Sequence, residues 1–140
     1  MIGRVDSPSR EAARVISAID HVVLTTRDEV KCIEFYTGAL GMTLKRYGDN
    51  RLALRFGSQK INVHQPGVMA GLKAASPTPG SLDLCFLASI PLDAVIARLR
   101  EHGVPIVAGP VIRSGAVGNI RSVYMRDPDD NLVEIAEPAA

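Results

Sequence analysis

The chain has 140 residues, 46% of them hydrophobic and 22% charged, and a formal net charge of +1 at pH 7. This length suits one compact domain with a sizeable core, and the composition is that of a globular protein. Nucleic acids and anionic membrane surfaces both require a concentrated basic field, so the balanced charge excludes them as the main partner.

The cysteine content and the absence of long apolar runs predict a cytoplasmic protein. The only cysteines, Cys32 and Cys85, fall in a helical and a strand pattern and do not resemble a disulfide framework. Residues 1–17 are polar, without the apolar stretch of a signal peptide, and are expected to form a flexible N-terminal arm. No apolar run approaches the roughly 20 residues of a membrane span.

The first half of the chain predicts a strand, a helix and three further strands. Residues 19–26 are rich in β-branched side chains, which favours a strand. A helix is expected over residues 29–40, with Asp28 as its N-cap and Gly41 at its C-terminal end. Turn residues then separate three strand-like segments, at residues 43–47, 52–56 and 60–64.

The second half repeats this order after a linker. Residues 66–80 lose the periodicity and are rich in glycine and proline. A strand over residues 81–88 and a helix with Pro91 at its first position follow, and then three strand-like segments, at residues 104–112, 120–126 and 131–137. The sequence therefore predicts an α+β fold. Its single domain, residues 18–138, has two βαβββ modules, 18–65 and 81–138, whose mixed sheet curls around a concave cleft with the helices outside.

Four strands each carry one residue able to bind a metal, opposite their apolar face. Alternation along the strands places His21, His64, Asp83 and Glu134 on the expected concave side. Each residue alone is more often structural or solvated, and the equivalent placement in both modules carries the prediction. Since an unpaired buried carboxylate is costly, a divalent ion accounts best for the set, and Zn²⁺, Ni²⁺, Co²⁺, Mn²⁺ and Fe²⁺ all accept such ligands.

The same alternation adds two residues to the wall of the cleft. Cys85 lies two residues beyond Asp83, and Asn62 lies two residues before His64, so each shares a face with its neighbour. We expect both side chains to contact a substrate. The alternative for Cys85 is an ordinary buried thiol, which would require the register of this strand to shift by one residue.

Several segments resemble one known superfamily. IDHVVLTT, FYTGALGM, NVH, SLDLCFLA and VYMRDPDDNLVEI, which together span residues 18–137, are similar to the vicinal-oxygen-chelate superfamily of glyoxalases, bleomycin-resistance proteins and extradiol dioxygenases. The GSLDLC and RDPD-NL-E stretches resemble glyoxalase domain-containing protein 5 and bacterial virulence proteins within it. The resemblance implies a homodimer that binds a small-molecule substrate, with the site formed either within one chain or across the dimer.

The resemblance also implies roles for individual residues. The four metal positions of glyoxalase I fall on His21, His64, Asp83 and Glu134, with the chemical types of the second and third positions exchanged. Tyr124 matches a substrate-facing tyrosine of fosfomycin-resistance enzymes, although a tyrosine packed in the sheet explains it equally well.

The function implied is a metal-dependent lyase or isomerase of the lactoylglutathione-lyase type. The ion would act as a Lewis acid on vicinal oxygens of the substrate, with Glu134 first and Asp83 second as the catalytic base. Two alternatives stay open, an Fe²⁺-dependent ring-opening dioxygenase and a metal-free protein that binds an antibiotic or a metabolite.

Overall fold

The computed structural model of the protein describes residues 14–67 and 71–139. Most of the expected N-terminal arm and residues 68–70 of the expected linker lie outside this range. In the described part of the chain, no helix is long and apolar enough to cross a membrane.

The first module begins with one strand and one helix. The helix α1 (Glu29–Ile33) starts at the predicted N-cap, where the Asp28 carboxylate accepts the Lys31 backbone N–H at 3.0 Å. It continues as a π-helical segment, Glu34–Ala39, where a regular α-helix was predicted. Four strands form the sheet in the order β1-β4-β3-β2, with β1 parallel to β4: β1 (His21–Thr25), β2 (Thr43–Tyr47), β3 (Arg51–Phe56) and β4 (Gln59–His64).

The second module has the same topology. Its helix α2 (Leu92–Glu101) has Pro91 as its N-cap, one position before the predicted one. Its sheet has the order β5-β8-β7-β6, with β5 parallel to β8, and its strands are β5 (Asp83–Leu87), β6 (Ala108–Ser114), β7 (Asn119–Arg126) and β8 (Leu132–Pro138). Strand β6 starts later than predicted, because the Val104 N–H first closes the end of α2 on the Leu99 carbonyl.

The α+β class and the two βαβββ modules are confirmed. The strands form two curled four-stranded mixed sheets, and β1 and β5 each lie at an edge of their sheet. One apolar core joins the modules: Leu24, Tyr36 and Leu54 from the first and Leu92 and Val123 from the second are all fully buried. Each large side chain in such a core stabilises the fold by about 1.5–3 kcal/mol.

A buried carboxylate in the turn before β8 also joins the two modules. Asp127 is 4% exposed and accepts four hydrogen bonds. The Tyr36 hydroxyl of the first module donates at 2.7 Å and the Asn131 amide at 2.8 Å, and the backbone N–H groups of Asp129 and Asn131 donate to the other oxygen. Burial and then the Asp127 charge raise the pKa of Tyr36 far above its usual value, so the hydroxyl remains a donor.

The neighbouring residues extend this network to β1 and β5. The Asp129 carboxylate accepts the Thr26 hydroxyl and the Arg27 backbone N–H just after β1. The Asn131 side-chain oxygen accepts the Leu82 N–H at 2.9 Å, just before β5. The Asp-Pro-Asp turn therefore holds the ends of the two edge strands in place, which is a structural role.

Replacing Asp127 by alanine should destabilise the fold strongly. The change leaves several buried donors without an acceptor, so we expect the free energy of unfolding to fall by at least about 3 kcal/mol. Urea denaturation followed by circular dichroism measures this loss. The control is Asp130→Asn, an exposed position at φ 69° that asparagine tolerates, with an expected change within about 0.5 kcal/mol. An equal fall in the free energy of unfolding in the two variants would contradict the structural role of Asp127.

Candidate functional site

Three of the residues predicted to line the cleft are direct neighbours on the second sheet. Cys85 of β5 pairs with Glu134 of β8, which pairs in turn with Tyr124 of β7. Directly paired residues point to the same side of a sheet, so these three side chains share one face. Leu84 and Phe86 pack against the core on the other side. The register predicted for β5 is therefore correct.

Two carboxylates lie on this face without a basic partner. Asp83 pairs with Leu132, which makes it a diagonal neighbour of Glu134, with Cα atoms typically about 7–8 Å apart. Asp83 is exposed and Glu134 is half-buried. Within residues 14–67 and 71–139, no Lys, Arg or His lies within ion-pair distance of either carboxylate. Their negative charge is therefore available to a bound cation.

The Cys85 thiol is kept protonated by its surroundings. Burial first, and then the charge and hydrogen bonding of the Glu134 carboxylate, raise its pKa to about 11. The thiol is therefore a hydrogen-bond donor toward Glu134 at neutral pH. Cys32, the other free cysteine, is buried in the core, where burial and the Asp127 charge raise its pKa to about 12.

Tyr124 is oriented by an arginine that the sequence did not single out. The Arg113 Nε donates to the Tyr124 hydroxyl at 3.1 Å, and the guanidinium carbon lies 5.8 Å from the ring centroid. Arg113 belongs to β6, beyond an irregularity in its pairing with β7. Alternation along β6 does not place Arg113 beside Tyr124, because the register of β6 against β7 shifts between Ala108 and Val111 and the sequence does not show this shift.

The remaining predicted residues lie on the corresponding face of the first sheet. His21 is exposed at the start of β1, with its Nδ1 2.9 Å from an Asp20 oxygen. Asn62 of β4 pairs with Val23. Its side-chain oxygen is buried and has no hydrogen-bond partner among the described residues. A buried amide oxygen without a partner is able to accept a metal ion or a hydroxyl group.

His64 is not the equivalent of Glu134, contrary to the expectation from the sequence. His21 pairs with Lys60 in the first sheet, as Asp83 pairs with Leu132 in the second. Glu134 lies two positions after Leu132 on β8, and Asn62 lies two positions after Lys60 on β4. Asn62 is therefore the residue of the first sheet that matches Glu134. His64 pairs with Thr25, four positions beyond the level of His21, or about 13 Å along the strands. Alternation fixes the face of a strand but does not fix its offset against a parallel neighbour.

His64 has a different environment from the other candidates. It borders a recess of about 150 Å³ between β1, β4 and the described parts of the linker, with Val23 and Leu82 among its walls. Burial first and the positive charge of Arg51 second lower the pKa of His64 below its usual value of 6.5. The imidazole is therefore neutral at pH 7.

The four predicted ligands do not converge within one chain. His21 and His64 belong to the first sheet, while Asp83 and Glu134 belong to the second. No group of three His, Cys, Asp or Glu side chains in the described part of the chain could hold a metal ion. Of the two arrangements that the sequence left open, within one chain or across a dimer, these four residues therefore do not form the first.

The two cysteines should differ in reactivity. In metal-free protein with a chelator present, we expect iodoacetamide to label Cys85 and to leave Cys32 unmodified until the chain unfolds. The labelling rate of Cys85 should rise by about tenfold per pH unit and approach its plateau only near pH 11, because the thiolate is the reactive form. Mass spectrometry of wild-type protein and of the Cys85→Ser variant measures both effects. A plateau near pH 9, typical of an unperturbed thiol, would contradict the raised pKa that burial and Glu134 give to Cys85.

Comparison with known proteins agrees with this architecture. Virulence protein STM3117 of Salmonella typhimurium is 49% identical over 123 residues, which cover 88% of this chain and 85% of that protein. Its crystal structure superposes with a TM-score of 0.87 at 48% identity, covering 90% of this chain and all of that one. The glyoxalase domain-containing protein RDO1 of Mycosarcoma maydis is 50% identical over 121 residues, 86% of this chain and 68% of that protein.

A more distant structure shows the same fold. The lactoylglutathione lyase of Agrobacterium tumefaciens has a TM-score of 0.69 at 23% identity and covers 88% of this chain and 95% of its own. The sequence profile of one family matches residues 18–135, almost the whole described fold. The chain therefore belongs to the Glyoxalase/Bleomycin resistance protein/Dioxygenase superfamily.

Proposed function

We propose that this protein is a metal-dependent, glyoxalase-like lyase or isomerase that acts on a small substrate with vicinal oxygens. One observation carries the proposal: Asp83 and Glu134, two carboxylates without a basic partner among the described residues, lie on the exposed side of β5 and β8. A half-buried carboxylate without a cationic partner is costly, and a divalent cation offsets that cost.

The other ligands come from the first sheet. His21 supplies an imidazole and Asn62 a buried amide oxygen, and the two residues stand in the same diagonal relation as Asp83 and Glu134. A donor set of one imidazole, two carboxylates and one amide oxygen suits Mn²⁺, Fe²⁺, Co²⁺, Ni²⁺ or Zn²⁺. His64, the candidate from the sequence, is the alternative fourth ligand.

A homodimer is the arrangement that completes this set. The strands β1 and β5 are both free edges, and an exposed strand edge favours pairing with another chain. We propose that His21 and Asn62 of one chain face the partner subunit's Asp83 and the partner subunit's Glu134. Two equivalent sites then result from the twofold symmetry.

The chain's own residues supply the proton transfer. A bound ion would supply Lewis acidity toward the vicinal oxygens of the substrate. The Glu134 carboxylate is the base that takes the proton, with Asp83 as the second candidate. The protonated Cys85 thiol donates toward Glu134 and orients it. Tyr124, held by Arg113, presents its ring and hydroxyl to the substrate beside Glu134.

Metal analysis of purified protein tests the ligand set. We expect close to one divalent ion per chain in the wild type, and His21→Ala and Glu134→Ala should each lose most of it, because each removes a ligand. The matched control is His102→Ala, which changes an exposed histidine at the end of α2. The metal content of His64→Ala and of Asn62→Ala identifies the fourth ligand, because only the variant that removes this ligand loses the ion.

The proposal would be overturned if the wild-type protein, purified without chelators, contained no metal and still bound none after incubation with each of these ions. That result would favour a metal-free protein that binds an antibiotic or a metabolite. An oxygen-consuming ring opening, dependent on Fe²⁺, would instead identify the dioxygenase alternative.

The oligomeric state is a separate prediction. We expect a homodimer of twice 15.0 kDa at tens of micromolar, because the proposed site combines the first sheet of one chain with the second sheet of its partner, and β1 and β5 are edge strands. Light scattering coupled to size-exclusion chromatography measures the mass. A monomer that still binds one ion per chain would contradict assembly of the site across two chains.

A further inference from the structure

The exposed face of the first sheet carries a group of basic residues that the proposed metal site does not use. Leu54 and Ile61 mark the core side of β3 and β4. The alternate positions therefore point to the other side, together with His21 and Asn62. The basic residues at these positions are Lys45, Arg51, Arg55 and Lys60, which we call the basic face.

No acidic residue compensates these charges within the sheet. None of the four basic side chains forms an ion pair with any described residue. The strands β2, β3 and β4 contain no Asp or Glu. Among the described residues, Asp20 precedes β1, and its pKa is lowered first by the hydrogen bond to His21 and to a lesser extent by the charge of Lys60. Because the net charge of the whole chain is only +1, the basic face is a local concentration of positive charge.

Two of these cations converge on one aromatic ring. The Lys60 Nζ lies 4.6 Å from the centroid of the Tyr47 ring, and the Arg51 guanidinium carbon lies 5.6 Å from it. The two side chains come from different strands and contact the same ring, and two cations beside one ring attract an anion more strongly than one does. The ring holds the pair in place, so the site is partly ordered before a ligand arrives.

Protection of a sheet edge does not explain this arrangement. Lysines are common on edge strands, where they discourage aggregation. That reason applies to Lys45, since β2 is an edge strand. It does not apply to Arg51, Arg55 and Lys60, because β3 and β4 lie inside the sheet.

We propose that the basic face binds the anionic group of the substrate, a carboxylate or phosphate on a small molecule. Lys60 pairs directly with His21, so the basic face begins beside the first proposed metal ligand. The inference rests on the proposed function for the identity of the ligand as substrate. The anionic end would lie over Lys60 and Arg51, while the vicinal oxygens reach His21. The substrate class is therefore a small organic acid or phosphate ester with two adjacent oxygens.

Binding of simple anions to metal-free protein tests this inference. The probes are citrate and inorganic phosphate, titrated against chloride at equal ionic strength and followed by amide chemical shifts. We expect saturable shifts confined to residues 43–64 and the start of β1. The relative affinity of citrate and phosphate shows whether a carboxylate or a phosphate is preferred.

Matched variants show which charges are responsible. Arg51→Gln and Lys60→Gln should each weaken binding of the preferred anion by about tenfold, the effect of one charge-assisted hydrogen bond. Arg100→Gln and Lys31→Gln remove exposed cations from α2 and α1 and should leave the affinity unchanged. If a variant folds poorly, the wild-type shift map alone decides.

Three outcomes would overturn the inference: equal weakening in the control variants, shifts spread over both helices, or tighter binding of a single-stranded oligonucleotide than of citrate at the same ionic strength. Metal content measured on the same variants separates the two proposals. Retained metal with lost anion binding supports the basic face. Wild-type protein that binds anions but never metal refutes the proposed enzyme and leaves the anion site standing.

Discussion

The fold depends on a buried carboxylate whose charge is stabilised by four hydrogen bonds and which forms no ion pair with a described residue. Asp127 draws together the Tyr36 hydroxyl of one module and the backbone of its own turn in the other. A buried charge is tolerated only when it is fully hydrogen-bonded, so the turn can adopt few other arrangements. Because Asp129 and Asn131 extend the same network to the ends of β1 and β5, the relative position of the two edge strands follows from it.

This constraint explains why the most recognisable motif of the sequence carries structure more than chemistry. The carboxylates of Asp127 and Asp129 are buried and accept hydrogen bonds from within the fold. Glu134, a few residues further along, instead lies on the exposed side of β8. The burial of the first pair fixes the start of β8, and alternation along β8 then directs Glu134 to the exposed side. The Asp-Pro-Asp turn therefore determines, through β8, where the candidate catalytic residue Glu134 lies.

The exposed sides of the two sheets differ in their chemistry. The second sheet carries Asp83 and Glu134, which have no basic partner in the described part of the chain. The first carries His21 and the basic face, without acidic residues in its strands β2 to β4. Complementary charges favour association in a defined orientation. The same division suits a substrate with a metal-binding end and an anionic end, so assembly and substrate recognition would depend on the same side chains.

The sequence alone determined the two modules, the class of fold and the core side of the regular strands β1, β4, β5 and β8, because these follow from hydrophobic periodicity and turn residues. It correctly placed Cys85 on the side of β5 opposite Leu84 and Phe86, since alternation within a strand is a local property. It wrongly treated His64 as the match of Glu134. The offset between the parallel strands β1 and β4 depends on how the intervening helix, β2 and β3 pack, and no local pattern records it. The tertiary structure alone decided that the four candidate ligands are divided between two sheets and that Asp127 is buried, because both depend on how the modules pack.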